Sequence, residues 1–195
     1  GSEMCIRDSP STDHAAPLLV LTAASGAVEL WRSDGTHVLT LKAPGSVANW
    51  GVDFSPDGQL IAAASYDDQL RIWDVDGTPL QAIKTESRGL TRVAFSADSQ
   101  TIATGGLDAT VKLWNLDGTL QNTLVGHTGF ITSLAFSPDG NYLYSGGVDD
   151  QLIAWDLEKI AAVDTLEYAC EWVRDYLQTN AEVDSSDRTL CQSGQ

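Results

Sequence analysis

Few residues in this chain have the types and spacing for chemistry. Ser145, His127 and Asp149 fall where a hydroxyl, an imidazole and a carboxylate could meet. That trio is the raw material of a nucleophile, its base and the base's orienting acid. Its meaning depends on the elements that hold it. His14 and His37 have no such partners by spacing. Asp74-Val75-Asp76-Gly77 opens like a calcium loop, yet residues 78–85 offer only Thr78 and other poor ligands. A calcium-binding helix–loop–helix also needs a glutamate closing the loop, so this stretch reads as a hairpin turn. GSVANWG, residues 45–51, has small residues but no following helix, so it is not a phosphate cradle. Cys5, Cys170 and Cys191 are too few and too scattered for a disulfide framework or a zinc site. No metal, cofactor or enzymatic activity is expected from these residues.

The positioning elements repeat. Trp31, Trp73, Trp114 and Trp155 are spaced by 42, 41 and 41 residues, and Phe54, Phe95 and Phe136 by 41 and 41. The phrases AASYDDQLRIWD (63–74), TGGLDATVKLWN (104–115) and SGGVDDQLIAWD (145–156) say nearly the same thing three times. A fixed period of this length marks a repeat architecture. Each unit holds short strands between Asp-Gly turns, as in ITSLAF, SPDG, NYLYSGG, VDD and QLIAW at 131–155. Such strands form a meander of antiparallel hairpins. One meander cannot bury both faces, so neighbouring sheets must cover one another.

The residues resemble the WD-repeat family of β-propellers. The fourth unit carries its marks: Gly126-His127, SPDG at 137–140, Ser145, Asp149 and Trp155-Asp156. The resemblance implies an all-β fold, a partial propeller of about three and a half four-stranded blades, with a C-terminal helical tail. It also implies that His127, Ser145, Asp149 and Trp155 form a buried, hydrogen-bonded structural tetrad, which leaves the trio no catalytic role. Thr104, Asp108 and Trp114 are a partial tetrad, as are Asp67 and Trp73. Glu86 stands near the histidine position of the third unit, Ala63 and Gly45 replace tetrad members in the second, and Ser25 stands where the first unit should have Asp. The complete fourth unit is therefore expected to be the most rigid.

Residues 1–9 show neither apolar period nor turn logic and read as a non-native leader, followed by a linker at 10–17 and no first strand before residue 18. The blades divide as 18–46, 47–89, 90–129 and 130–160. Too few blades for a closed ring imply missing upstream blades of the same chain. Residues 161–195 read as a helical tail. In it 165–178 places Leu166, Ala169, Cys170, Val173, Tyr176 and Leu177 on one face, and a second helix runs from 184 to about 191. Cys170 and Cys191 are expected to be reduced. The tail resembles the end of large cyanobacterial WD-repeat proteins with NACHT or NB-ARC modules. That likeness implies a bacterial signalling protein.

Composition narrows the partners. Eleven Lys and Arg against 27 Asp and Glu give a net charge of −16. Nucleic acid and anionic membranes are poor partners for such a surface. No apolar run approaches the ~20 residues of a membrane helix, and no secretory signal is visible, so the cytoplasm is expected. The resemblance puts partner-binding side chains on one face of the propeller. By register the entry positions are Ala48, Gly89 and Phe130, then Trp50, Thr91 and Thr132, and Tyr66, Leu107 and Val148. The reading is a protein–protein interaction scaffold or sensor module. The alternatives are an enzyme with an acidic channel that binds metal or sugar, and a half propeller that assembles with itself.

Overall fold

The computed structural model describes residues 6–8 by their backbone, and residues 17–22, 26–42 and 48–162 in full. It contains four antiparallel sheets. The first joins β1 (Ile6–Asp8), β2 (Leu18–Thr22), β3 (Val28–Arg32) and β4 (His37–Leu41). The second joins β5 (Asn49–Phe54), β6 (Leu60–Ser65), β7 (Gln69–Asp74) and β8 (Pro79–Lys84). The third joins β9 (Leu90–Phe95), β10 (Thr101–Gly106), β11 (Thr110–Asn115) and β12 (Leu120–Val125). The fourth has β13 (Ile131–Phe136), β14 (Tyr142–Gly147) and β15 (Leu152–Asp156).

Each sheet is a plain meander, and in the second, third and fourth sheets the connections are turns too short to cross over. The turns after the first strands share one chemistry. Ser55, Ser96 and Ser137 each accept the amide five residues on, from Leu60 at 2.8 Å, Thr101 at 2.9 Å and Tyr142 at 2.9 Å. Their hydroxyls donate to Asp57, Asp98 and Asp139. The third turn position has positive φ: Gly58, Gly140 and, without glycine, Ser99 at 61°. Ser99 repays that conformation by accepting the Asp57 amide of the neighbouring sheet's turn at 3.1 Å.

The core lies between sheets. Val20, Val28, Leu30 and Leu41 of the first sheet pack on Val52, Phe54, Ile61, Ala63 and Trp73 of the second. The other face of the second sheet, Ala62, Ala64, Leu70, Ile72 and Ile83, packs on Leu90, Val93, Phe95, Ile102 and Trp114 of the third. Between the third and fourth sheets Ile131 lies directly over Gly105, where an added Cβ would sit 2.5 Å from the isoleucine Cγ2. Alternation along each strand makes this possible, since one set of side chains serves the preceding sheet and the other the next. The fourth sheet's onward face is uncovered among the described residues. Leu152 is 75% exposed, whereas its repeat equivalents Leu70 and Val111 are 0% exposed.

Two expectations need correction. A first strand does precede residue 18, for Ile6–Asp8 pairs with Leu19–Leu21 in the first sheet. Edge pairing uses backbone groups alone, so a segment without apolar period can supply it. The last sheet stops at Asp156, not residue 160. From there Asp156 accepts the Lys159 amide at 3.1 Å and pairs with its ammonium at 2.9 Å, starting the short helix α1 (Leu157–Ala162). The helices expected at 165–178 and 184–191, and the Cys170 and Cys191 thiols, lie outside the described residues.

Candidate functional site

The upper end of the sheets carries the turns at 66–68, 107–109 and 148–150 and the connections at 85–89 and 126–130. The lower end carries the turns at 55–59, 96–100 and 137–141, with those at 75–78 and 116–119.

At the upper end of the fourth sheet, four side chains form one chain of hydrogen bonds. The Trp155 indole donates to Ser145 Oγ at 2.8 Å. Ser145 Oγ lies 2.8 Å from His127 Nε2, and His127 Nδ1 lies 3.0 Å from both Asp149 oxygens. The order is self-consistent when Ser145 donates to Nε2 and Nδ1–H donates to Asp149. Asp149 also accepts the amides of Thr128 at 2.8 Å and Gln151 at 3.3 Å. Ser145 is fully buried, and a Cβ on Gly147 would already lie 2.7 Å from His127 Nδ1. With its oxygen shared between the indole and the imidazole, Ser145 links β15 to the connection at 126–130, and Asp149 ties that connection to the turn at 148–150. His37 instead lies edge-on to Trp31 with Thr40 Oγ1 at 3.1 Å from Nε2.

In the second and third sheets a cation takes the place of the histidine. Trp114 donates to Thr104 Oγ1 at 2.9 Å, as in the full tetrad. Asp108, however, faces Lys112 at 3.7 Å. The buried Lys112 ammonium donates to the carbonyls of Thr85 at 2.6 Å and Glu86 at 3.1 Å and to Ser87 Oγ at 2.9 Å. In the second sheet Arg71 makes a fork with Asp67, Nη1 to Oδ1 at 3.1 Å. Arg71 and Lys112 both stand two residues before the tryptophan, where the fourth sheet has Ile153. Both are buried, at 3% and 8% exposure. Sequence reasoning passed over them because a long cationic side chain on a strand looks solvated. The available signal was a basic residue appearing at that position only in units that lack the histidine. In the first sheet Glu29 stands there and accepts the Trp31 indole at 3.1 Å.

These pairings decide the charge of the two ends. At the upper end Asp67, Asp108 and Asp149 face Arg71, Lys112 and His127. Asp68 accepts Thr85 Oγ1 and the Ser87 amide, each at 2.8 Å, and the Gly89 amide at 3.3 Å. At the lower end Asp98, Asp117 and Asp139 are held by hydroxyls and amides rather than cations. Hydrogen bonds from Ser96, Thr119 and Ser137 hold their carboxyls below the ordinary aspartate range. The Thr128 amide does the same for Asp149, against its partial desolvation. For Asp67, desolvation pushes upward most strongly, and the bonds from Arg71 and Ser65 together outweigh it.

Carboxyls depressed on folding contribute stability that is present above their unfolded pKa and lost as pH falls through the folded one. Thermal unfolding is therefore expected to hold steady from these groups between about pH 5 and 8 and to fall below about pH 4. A melting temperature that instead rose on acidification below that point would contradict the assignment.

The residues expected on the partner-binding face separate into two sets. Trp50 and Tyr66 are 37% and 50% exposed and stack on each other, ring centroids 5.4 Å apart at 30°. Phe130 and Val148 are 40% and 46% exposed, with the Val148 amide donating to the Phe130 carbonyl at 3.0 Å. Leu107 is half-buried, and its Cδ1 approaches Gly89 beside the Tyr66 ring. Thr91 is a correction: it is 1% exposed, because its hydroxyl is tied to the carbonyls of Gly105 at 3.0 Å and Ile131 at 2.6 Å. It joins the third sheet to the fourth and offers nothing to a partner. Thr132 is half-buried, with its hydroxyl on the Gly146 carbonyl at 3.2 Å.

Radially stacked four-stranded meanders with an Asp-to-Trp joint at one end define a β-propeller repeat protein. The family model for the WD domain, G-beta repeat, matches residues 33–74, 77–115 and 118–156, more than half of the chain. The chain belongs to that family, whose repeats serve in general as protein-interaction scaffolds. No curated protein matches it. Each matched repeat supplies the outer strand of one sheet and the three inner strands of the next, so β4, β8 and β12 clip neighbouring sheets together. The third match ends at Asp156, with β15 on the edge of the last sheet. No helix among the described residues is long and apolar enough to cross a membrane.

Proposed function

We propose that this chain is a protein-recognition module that holds its partner on the upper end of the sheets. The observation that supports this most is the run of exposed apolar side chains there: Trp50, Tyr66, Phe130 and Val148, with Leu107 between them. Rigid aromatic side chains lose little entropy when they are covered, and they dominate binding energy at interfaces. Asp67, Asp68, Asp108 and Asp149 beside them are already held by internal partners, so covering these four adds little desolvation penalty. Replacing Trp50, Tyr66 and Phe130 together by alanine is expected to reduce partner capture at least a hundredfold, about 3 kcal/mol in total. Its melting temperature should stay near that of the parent chain, since all three side chains are substantially exposed. Equal loss of folding and binding would overturn the proposal.

The module serves, in this reading, as the sensing or scaffolding arm of a larger bacterial signalling protein in the cytoplasm. Further blades of that protein would cover the fourth sheet. The exposed Leu152, Tyr142 and Tyr144 on that face support a covering blade, because the matching faces of the second and third sheets are buried. Self-assembly of this chain would use the same face, and concentration-dependent mass distinguishes the two.

A further inference from the structure

Resting on the recognition reading of the upper end, we propose that the partner presents an apolar side chain next to a carboxylate. The apolar group lies on the platform of Trp50, Tyr66 and Leu107, and the carboxylate pairs with Arg88. The platform is continuous because residue 89 is glycine. Its φ is +120°, and an added Cβ would lie 3.1 Å from the Tyr66 carbonyl, 3.2 Å from Leu107 Cδ1 and 3.6 Å from Tyr66 Cδ2. Tyr66 and Leu107, from adjacent sheets, thus close over one point above Gly89. In the fourth sheet the equivalent position is filled by Phe130 instead.

Arg88 precedes that glycine and is exposed, with φ of 60°. Like Lys84 at the end of β8, it makes no hydrogen bond or ion pair with a described residue, whereas three other cations of this end are committed. Arg71 is bound to Asp67, Lys112 to carbonyls and Ser87, and Arg92 to the carbonyls of Trp50 at 3.2 Å and Thr91 at 2.7 Å. Asp67, Asp68 and Asp108 in the flanking turns are occupied, and the exposed Glu86 of the same connection carries a negative charge of its own. The residue next to the platform's glycine thus carries an uncommitted guanidinium on a chain that is otherwise strongly acidic. A guanidinium pairs best with a planar carboxylate, in two parallel hydrogen bonds.

The test is selection of displayed random heptapeptides on the immobilised full chain. Enriched sequences are expected to place Leu, Ile, Met or Phe beside Asp or Glu. Arg88→Glu should weaken them about tenfold, the size of a lost charged hydrogen bond, and exchanging the peptide's acid for lysine should restore binding to that variant. Peptides that need Trp50, Tyr66 and Phe130 but ignore Arg88→Glu would overturn this inference and leave the recognition face standing. Peptides indifferent to the triple alanine variant would remove both. Selection of basic peptides, or of none, would also count against it.

Discussion

Lys112→Met is expected to destabilise the chain by about 3–5 kcal/mol, measured as the shift in denaturant unfolding. The methionine fills the same channel, so little cavity arises. What is lost is the ammonium that satisfies the Thr85 carbonyl, the Glu86 carbonyl and Ser87 Oγ and faces Asp108. The Thr85 carbonyl, Ser87 Oγ and Asp108 are largely buried, and buried oxygens without donors pay their full desolvation penalty. The same substitution on a solvated strand lysine would change stability by no more than about 0.5 kcal/mol. A loss of that smaller size would show that Lys112 is a surface residue and that the cation does not replace the histidine.

Leu70→Ala should cost about 2–5 kcal/mol, while Leu152→Ala in the same repeat position should cost about 0.5 kcal/mol or less. Leu70 is fully buried between the second and third sheets, so truncation leaves a cavity that strands clipped on both sides cannot collapse. Leu152 has water on its outer side already. The contrast isolates the effect of a covering sheet, since chemistry and register are equal. If both substitutions cost several kcal/mol in dilute solution, something covers the fourth sheet in the isolated chain. The complete His127–Asp149 joint therefore stands in the sheet whose onward face is least covered, and the rigidity expected from the tetrad must be weighed against that missing packing.

Much of this was legible in the sequence for one physical reason. A repeat restates its core positions every 41 or so residues, so the tryptophans, the Ser-x-Asp turns and the tetrad aspartates check one another. The strands, the sheet order and the three-stranded last sheet followed from that. The misses lie where the repeat varies. Arg71 and Lys112 hide behind the general rule that cations are solvated. Thr91 shares register with the exposed Trp50, but a hydroxyl can turn inward to two carbonyls where an indole cannot. Ile6–Asp8 pairs through backbone alone and leaves no side-chain pattern to read. The platform over Gly89 needed geometry, because the sequence shows an absent side chain and not what leans over it.

The central claim is that the upper end of the sheets is the recognition surface. Hydrogen exchange of the chain with and without a bound peptide or protein tests it most directly. The account predicts new protection at residues 48–50, 66–68, 86–91, 107 and 130, with the lower turns at 55–59, 96–100 and 137–141 unchanged. Protection confined to the lower turns would contradict it and place recognition on the acidic end instead.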